Sequence, residues 1–157
     1  MQEIERKFLV KTDAFKAEAT SSNLIVQGFL NTNPERTVRV RIYGKQGYLT
    51  VKGKSNKAGT TRFEWEKEID EIEAKALLNL CEEGILEKKR YVTPFGAHIY
   101  EVDEFFGDNE GLIVAEVELN AENEFFEKPE WLGEEVTGDV KYYNSQLSKQ
   151  PYKDWKN

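Results

Sequence analysis

Polar and apolar residues alternate with a period of two through most of the chain, the spacing of strands with one face on a core and the other in a polar setting. The alternation predicts eight strands, at residues 3–10, 23–30, 37–43, 47–52, 62–69, 87–93, 98–105 and 112–119. Tight polar connections separate several of them: Gly44-Lys45-Gln46-Gly47, Pro94-Phe95-Gly96 and the stretch from Asp108 to Gly111. Helical spacing appears in few places. Residues 11–19 predict a short helix with Thr12 or Asp13 as its cap. Residues 70–81 predict the clearest one, with Ile72, Ala76, Leu77 and Leu80 as its apolar positions and Gly84 just past its end. After Pro129, residues 130–132 predict the start of another, and 140–147 one more. Eight antiparallel strands with few helices indicate an α+β chain, mainly antiparallel β. The architecture expected is a closed or nearly closed eight-stranded barrel with helices packed outside.

The polar faces of these strands are sorted by charge. Glu3, Glu5 and Lys7 share one face of the first strand, and Arg39 and Arg41 lie opposite Val38, Val40 and Ile42. Lys52 goes with Thr50; Arg62, Glu64, Glu66 and Glu68 lie away from Phe63 and Trp65. Lys88 pairs with Arg90, and Glu116 with Glu118. One such face reads as the solvated side of an ordinary sheet. Together they do not, because side chains at i and i+2 stand about 7 Å apart and like charges there repel. A plain surface intersperses signs. Sorting of this kind fits ligands of opposite charge: divalent cations for the carboxylates, phosphates for the basic residues. The charged faces are then expected to line the bore and the apolar faces to point outward. Hard cations such as Mg²⁺ take oxygen ligands, usually a couple of carboxylates plus substrate phosphate.

Composition narrows the chemistry. The 157 residues are 39% hydrophobic and 12% aromatic, enough for one domain spanning 1–157 with its own core. Charged residues reach 32%, above the roughly 25% of typical domains, yet aromatics recur throughout and argue against disorder. A net charge of −7 speaks against nucleic acid as the main partner. One cysteine, Cys81, and one histidine, His98, leave no thiolate or imidazole metal site and disfavour Ser/His/Asp catalysis. His98 sits at a turn and reads as structural, and no Walker-type glycine loop is present. No signal peptide and no apolar run near ~20 residues is visible, so a soluble cytoplasmic protein without membrane contacts is the expectation.

Several segments, in order, resemble the CYTH superfamily of triphosphate tunnel metalloenzymes. They begin with Glu3-Ile4-Glu5-Arg6-Lys7, which is similar to the family's ExExK signature. Gln27-Gly28-Phe29-Leu30, Arg39-Val40-Arg41, Leu49-Thr50-Val51-Lys52-Gly53, Arg62-Phe63-Glu64-Trp65-Glu66 and Lys88-Lys89-Arg90-Tyr91 follow. Then come Val102-Asp103-Glu104-Phe105, Ala115-Glu116-Val117-Glu118-Leu119, the segment from Trp131 to Thr137, and Tyr142-Tyr143-Asn144. The resemblance implies a tunnel that binds a small triphosphate with Mg²⁺ or Mn²⁺. It implies Glu3, Glu5, Asp103, Glu116 and Glu118 as metal ligands, and Lys7, Arg39, Arg41, Lys52, Lys88 and Arg90 as phosphate contacts, with Lys141 as one more. Glu64, Glu66 and Lys88 carry its implied catalytic roles, the two glutamates by holding the basic groups or placing a second metal and the attacking water.

Inorganic tripolyphosphate is the substrate this short form implies. A class IV adenylate cyclase is the first alternative, though those carry a His-Phe pair ahead of ExExK that is absent here. Thiamine-triphosphate or RNA-triphosphate hydrolysis and a non-catalytic polyphosphate or nucleotide-binding module are the others. Phe29 stands where the family frequently has tyrosine. A homodimer stays open at this level.

Overall fold

The computed structural model describes residues 1–155; the last two residues of the expected 1–157 domain lie outside the described residues. Nine strands form one sheet: β1 (Gln2–Val10), β2 (Ser21–Asn31), β3 (Arg36–Tyr43), β4 (Gln46–Gly53), β5 (Thr61–Ile69), β6 (Leu86–Phe95), β7 (His98–Phe105), β8 (Ile113–Glu118) and β9 (Leu132–Glu135). Their order is β5-β4-β3-β2-β6-β7-β8-β1-β9, and β1 pairs again with β5, so the first eight close into an antiparallel barrel. All eight predicted strands are present.

The seam is short. β1 meets β5 through Gln2↔Phe63, Glu3↔Arg62 and Ile4↔Thr61 only. Beyond Ile4 the same edge of β1 is taken by β9, through Phe8↔Glu135 and Val10↔Leu132. Arg6 anchors this ninth strand from outside, gripping Glu135 at 2.8 and 2.7 Å. Residues 130–132 therefore do not begin a helix: Leu132 opens β9, because an unpaired edge of β1 is there to accept it.

The other helices are shorter than their periodicity implies. α1 (Phe15–Glu18) and α3 (Asn144–Leu147) are single turns, while α2 (Glu71–Leu78) carries a full capping box from Asp70 and Glu73. Ile72 and Leu80 are 77% and 73% exposed, against expectation; α2 meets the barrel through Ala74 instead. It rests there on Gly47, where a Cβ would come within 2.8 Å of the Ala74 methyl. Glycine is needed for that approach.

Two apolar clusters hold the barrel. The first covers the outer faces of β1, β7 and β8: Phe8, Tyr100, Val102, Ala115 and Val117 pack under Phe15, Phe126, Trp131 and Leu132. Phe15 stacks edge-on against both Tyr91 and Trp131. Much of this cover is loop, not helix. The second cluster joins Phe29, Leu86, Phe105 and Val114 to Leu112, Val136, Tyr142 and Leu147, with Tyr152 and Trp155 packed against it. By register the first four sit on the same strand faces as Gln27, Lys88, Asp103 and Glu116. These inward apolar side chains and the C-terminal segment thus fill one stretch of the bore. Phe15→Ala removes a fully buried ring and is expected to cost about 3–5 kcal/mol of unfolding free energy, measured as a lower urea midpoint at unchanged m-value.

Candidate active site

Register carries the charged faces to one place. Going round the ring, the cross-strand partners Glu3↔Arg62, Lys52↔Glu64, Thr50↔Glu66, Arg39↔Thr50, Gln27↔Arg41, Arg90↔Asp103, Glu101↔Glu116 and Lys7↔Glu116 all belong to the inner face. All of them but Thr50, Gln27 and Asp103 line a cavity of about 270 Å³, at the small end of ligand sites, which run to roughly 1,000 Å³. Of the residues expected to form a site, Glu3, Glu5, Lys7, Arg39, Arg41, Lys52, Glu64, Glu66, Lys88, Arg90, Glu116 and Glu118 line it. Glu68, on the same face of β5, stays exposed beyond it.

Two expected members fall elsewhere. Asp103 is 3% exposed and stands behind the lining, where Arg90 takes its carboxylate at 2.8 and 2.9 Å and Lys88 Nζ lies 2.8 Å away. Its oxygens are committed to those cations, so Asp103 holds the basic wall in place and does not reach the cavity as a ligand. Lys141 is exposed, its ammonium lying over the Tyr142 and Trp155 rings, and does not line the cavity.

The lining also includes residues not singled out as a site from the sequence. Glu101 faces Arg90 Nη1 at 3.4 Å; its place two residues before Asp103 on β7 was the signal for it. Arg62 lines the wall and donates from Nε to the Gly53 carbonyl at 3.0 Å. Thr137, Gly138, Tyr143, Asn144 and Ser145 enter from the C-terminal segment, where the helical spacing of 140–147 carries no charge pattern to announce them. Of the aromatics near the C-terminus Tyr143 lines the cavity, where Lys7 Nζ lies 5.2 Å over its ring, while Tyr142, Tyr152 and Trp155 pack in the second apolar cluster.

The electrostatics divide into two walls. On the basic wall, Glu66 Oε2 braces Arg39 and Arg41 at 3.4 and 3.6 Å and accepts from Thr50 at 2.8 Å. The Nε groups of both arginines are buried without a partner. Burial, then the neighbouring Arg39 and Arg90, lowers the pKa of Arg41 to about 10. Burial likewise lowers that of Lys88 to about 8, in spite of Asp103. Cations crowded and under-compensated in this way favour an anion among them.

On the acidic wall, burial, Glu116 and Glu3 raise the pKa of Glu5 well above the usual carboxylate range. Burial acts the same way on Glu116, but Lys7, the Glu5 proton and Arg90 outweigh it and hold Glu116 at about 2. Glu118 is raised by burial and by Glu3 and Glu101. Lys52 bridges Glu3 and Glu64 at 3.1 and 3.3 Å. No three Asp, Glu, His or Cys side chains among the described residues converge at ligand spacing. The donor set is nevertheless all oxygen, and the carboxylates of Glu3, Glu5, Glu116 and Glu118 gathered along one side of the cavity suit a hard divalent cation.

A closed antiparallel barrel whose bore sets carboxylates against arginines and lysines defines the class of protein. The chain belongs to the CYTH domain family, which matches residues 1–150. It is 49% identical over 156 residues to an inorganic triphosphatase of Acetivibrio thermocellus, covering 99% of this chain and 98% of the relative. An inorganic triphosphatase of Nitrosomonas europaea is 36% identical over 153 residues, covering 94% and 97%. The crystal structure of an inorganic triphosphatase superposes with a TM-score of 0.66 at 32% identity, over 93% of each chain.

Asp103→Asn leaves two buried cations without their counter-charge and is expected to cost about 3–5 kcal/mol at pH 7. Asp103 titrates below its ordinary value of 3.8 because Arg90 and Lys88 overcome burial. Its contribution is then complete above about pH 4 and is lost as pH falls through the folded value. Urea unfolding at pH 7 and pH 3 is expected to show the wild-type advantage shrinking at the lower pH.

Proposed function

We propose that this chain hydrolyses inorganic tripolyphosphate to pyrophosphate and phosphate, using Mg²⁺ or Mn²⁺. The observation that carries the proposal is the doubly charged bore, in which Arg39, Arg41, Arg90 and Lys88, together with Lys7 and Lys52 beside the carboxylates, share one cavity with Glu3, Glu5, Glu116 and Glu118. A polyanion alone would not call for four carboxylates, and a cation alone would not call for six basic side chains. The names of two relatives at 49% and 36% identity support the same substrate. A single compact domain, a small-molecule substrate and a cytoplasmic location belong to the same proposal. No described helix is long and apolar enough to cross a membrane.

Phosphoryl transfer needs positioning and neutralisation of charge more than covalent chemistry. Arg39 and Arg41 present forked donors suited to bidentate phosphate contacts, which lysine would not reproduce. Glu66 holds both guanidinium groups and Glu64 holds Lys52, so these glutamates act on the substrate through the cations they orient. Glu3, Glu5, Glu116 and Glu118 would hold the divalent ion, which supplies Lewis-acid charge stabilisation and a lowered water pKa when bound. Lys88 and Arg90, fixed from behind by Asp103, meet the phosphates from the opposite wall.

Phosphate release from tripolyphosphate and from ATP, each with Mg²⁺, Mn²⁺ or EDTA, tests this reading. Fast release from tripolyphosphate, abolished by EDTA and slow from ATP, is expected; cyclic AMP and pyrophosphate from ATP would instead identify a cyclase. Glu116→Gln keeps the size of the side chain and removes its charge. A loss of at least ~10²-fold in kcat/KM is expected, about 2.7 kcal/mol; a near-normal rate with normal metal dependence would take Glu116 out of the site.

A further inference from the structure

The C-terminal segment brings one amide into the cavity at a position that the charged walls leave unexplained. Asn144, the first residue of α3, lines the cavity beside Lys88. Its Oδ1 accepts two hydrogen bonds, from Lys88 Nζ and from Gln27 Nε2, both at 2.8 Å. Lys88 and Gln27 are 1% and 0% exposed, so both donors are buried while Asn144 stays half-buried at the cavity.

Chemistry fixes the orientation of the amide. An ammonium group has only donors, so the atom facing Lys88 must be the oxygen of Asn144. Two further consequences follow from counting protons. Lys88 has three N–H donors; one meets Asp103 at 2.8 Å, a second meets Asn144, and the third remains. Asn144 has an Nδ2 group that donates to none of the described residues while the side chain lines the cavity. Gln27 secures the arrangement at a cost, since its own Oε1 is buried without a partner.

We propose that Asn144 is a substrate-contacting and positioning residue: its oxygen holds Lys88 in place while its Nδ2 group donates to a phosphate oxygen of the bound triphosphate. The proposal rests on the triphosphatase reading for its ligand and gives α3 a role beyond closing the barrel. It also ties Lys88 from two sides, by Asp103 of β7 and by Asn144 of the C-terminal segment. The ammonium is then preorganised and spends no binding free energy on being ordered.

Asn144→Asp separates the two halves of the role. The carboxylate still accepts from Lys88 and Gln27, so folding is retained, but the donor to phosphate is replaced by a negative charge. A rise in KM for tripolyphosphate of about tenfold or more is expected, with kcat within about threefold and an unchanged Tm. Asn144→Ala removes the acceptor as well and is expected to lower kcat in addition to raising KM. An Asn144→Asp enzyme with wild-type KM, or with kcat alone reduced, overturns the phosphate contact. Calorimetric binding of inorganic tripolyphosphate in Mg²⁺ distinguishes failure of this proposal from failure of the hydrolysis reading. If wild type binds without turnover and Asn144→Asp binds at least about tenfold more weakly, the contact stands although hydrolysis does not. If the two bind equally, or wild type does not bind, the contact falls.

Discussion

Charge placed inside a ring of strands must either be paired or be left an exit to ligand and water, because taking an unpaired ion out of water costs several kcal/mol. The rest of this molecule follows from that constraint. Asp103 neutralises Lys88 and Arg90 from behind, Glu66 spans Arg39 and Arg41, and Lys52 stands between Glu3 and Glu64. Where pairing stops, the imbalance is local and of opposite sign on the two walls. Arginine Nε atoms without acceptors mark one wall, and the crowded carboxylates of Glu5 and Glu116, with the Glu5 pKa raised by burial and by its acidic neighbours, mark the other. Such an arrangement is complementary to a ligand that carries both signs of charge.

Inverting the usual arrangement moves the hydrophobic core out of the barrel's middle. One apolar cluster lies outside β1, β7 and β8, under Phe15, Phe126 and Trp131; the other fills a stretch of the bore with help from the C-terminal segment. The loop after β8 and the segment after β9 therefore do what a larger domain would assign to helices. That is why short, irregular elements carry so many of the buried aromatic contacts.

Much of this was legible in the residues. Period-two alternation located all eight ring strands, and like-charge pairing along Glu3/Glu5, Arg39/Arg41 and Glu116/Glu118 pointed to the inner face. What alternation cannot convey is which strands become neighbours. The resemblance implies Asp103 as a metal ligand, and only the Arg90↔Asp103 register reveals its commitment to the basic wall. The resemblance implies Lys141 as a phosphate contact, whereas in space its ammonium lies over the Tyr142 and Trp155 rings. β9 escapes the pattern because its four residues, Leu132-Gly133-Glu134-Glu135, do not alternate, and its pairing edge lies more than a hundred residues away. Asn144 and Tyr143 lie where the spacing predicts a helix over 140–147, and helical spacing does not tell that this segment reaches the cavity.

The order in which β1 finds its partners has a consequence for synthesis. Of the nine strands this one is synthesised before the others, yet its edges are claimed by β5, β8 and β9, which end at residues 69, 118 and 135. At roughly 5–20 residues per second the chain spends several seconds with β1 unpaired. Through that interval Glu3, Glu5 and Lys7 keep the nascent strand charged on one face, which is the usual protection of an open edge against pairing with another chain. The residues that crowd the finished cavity thus also guard the growing polypeptide before any cavity exists.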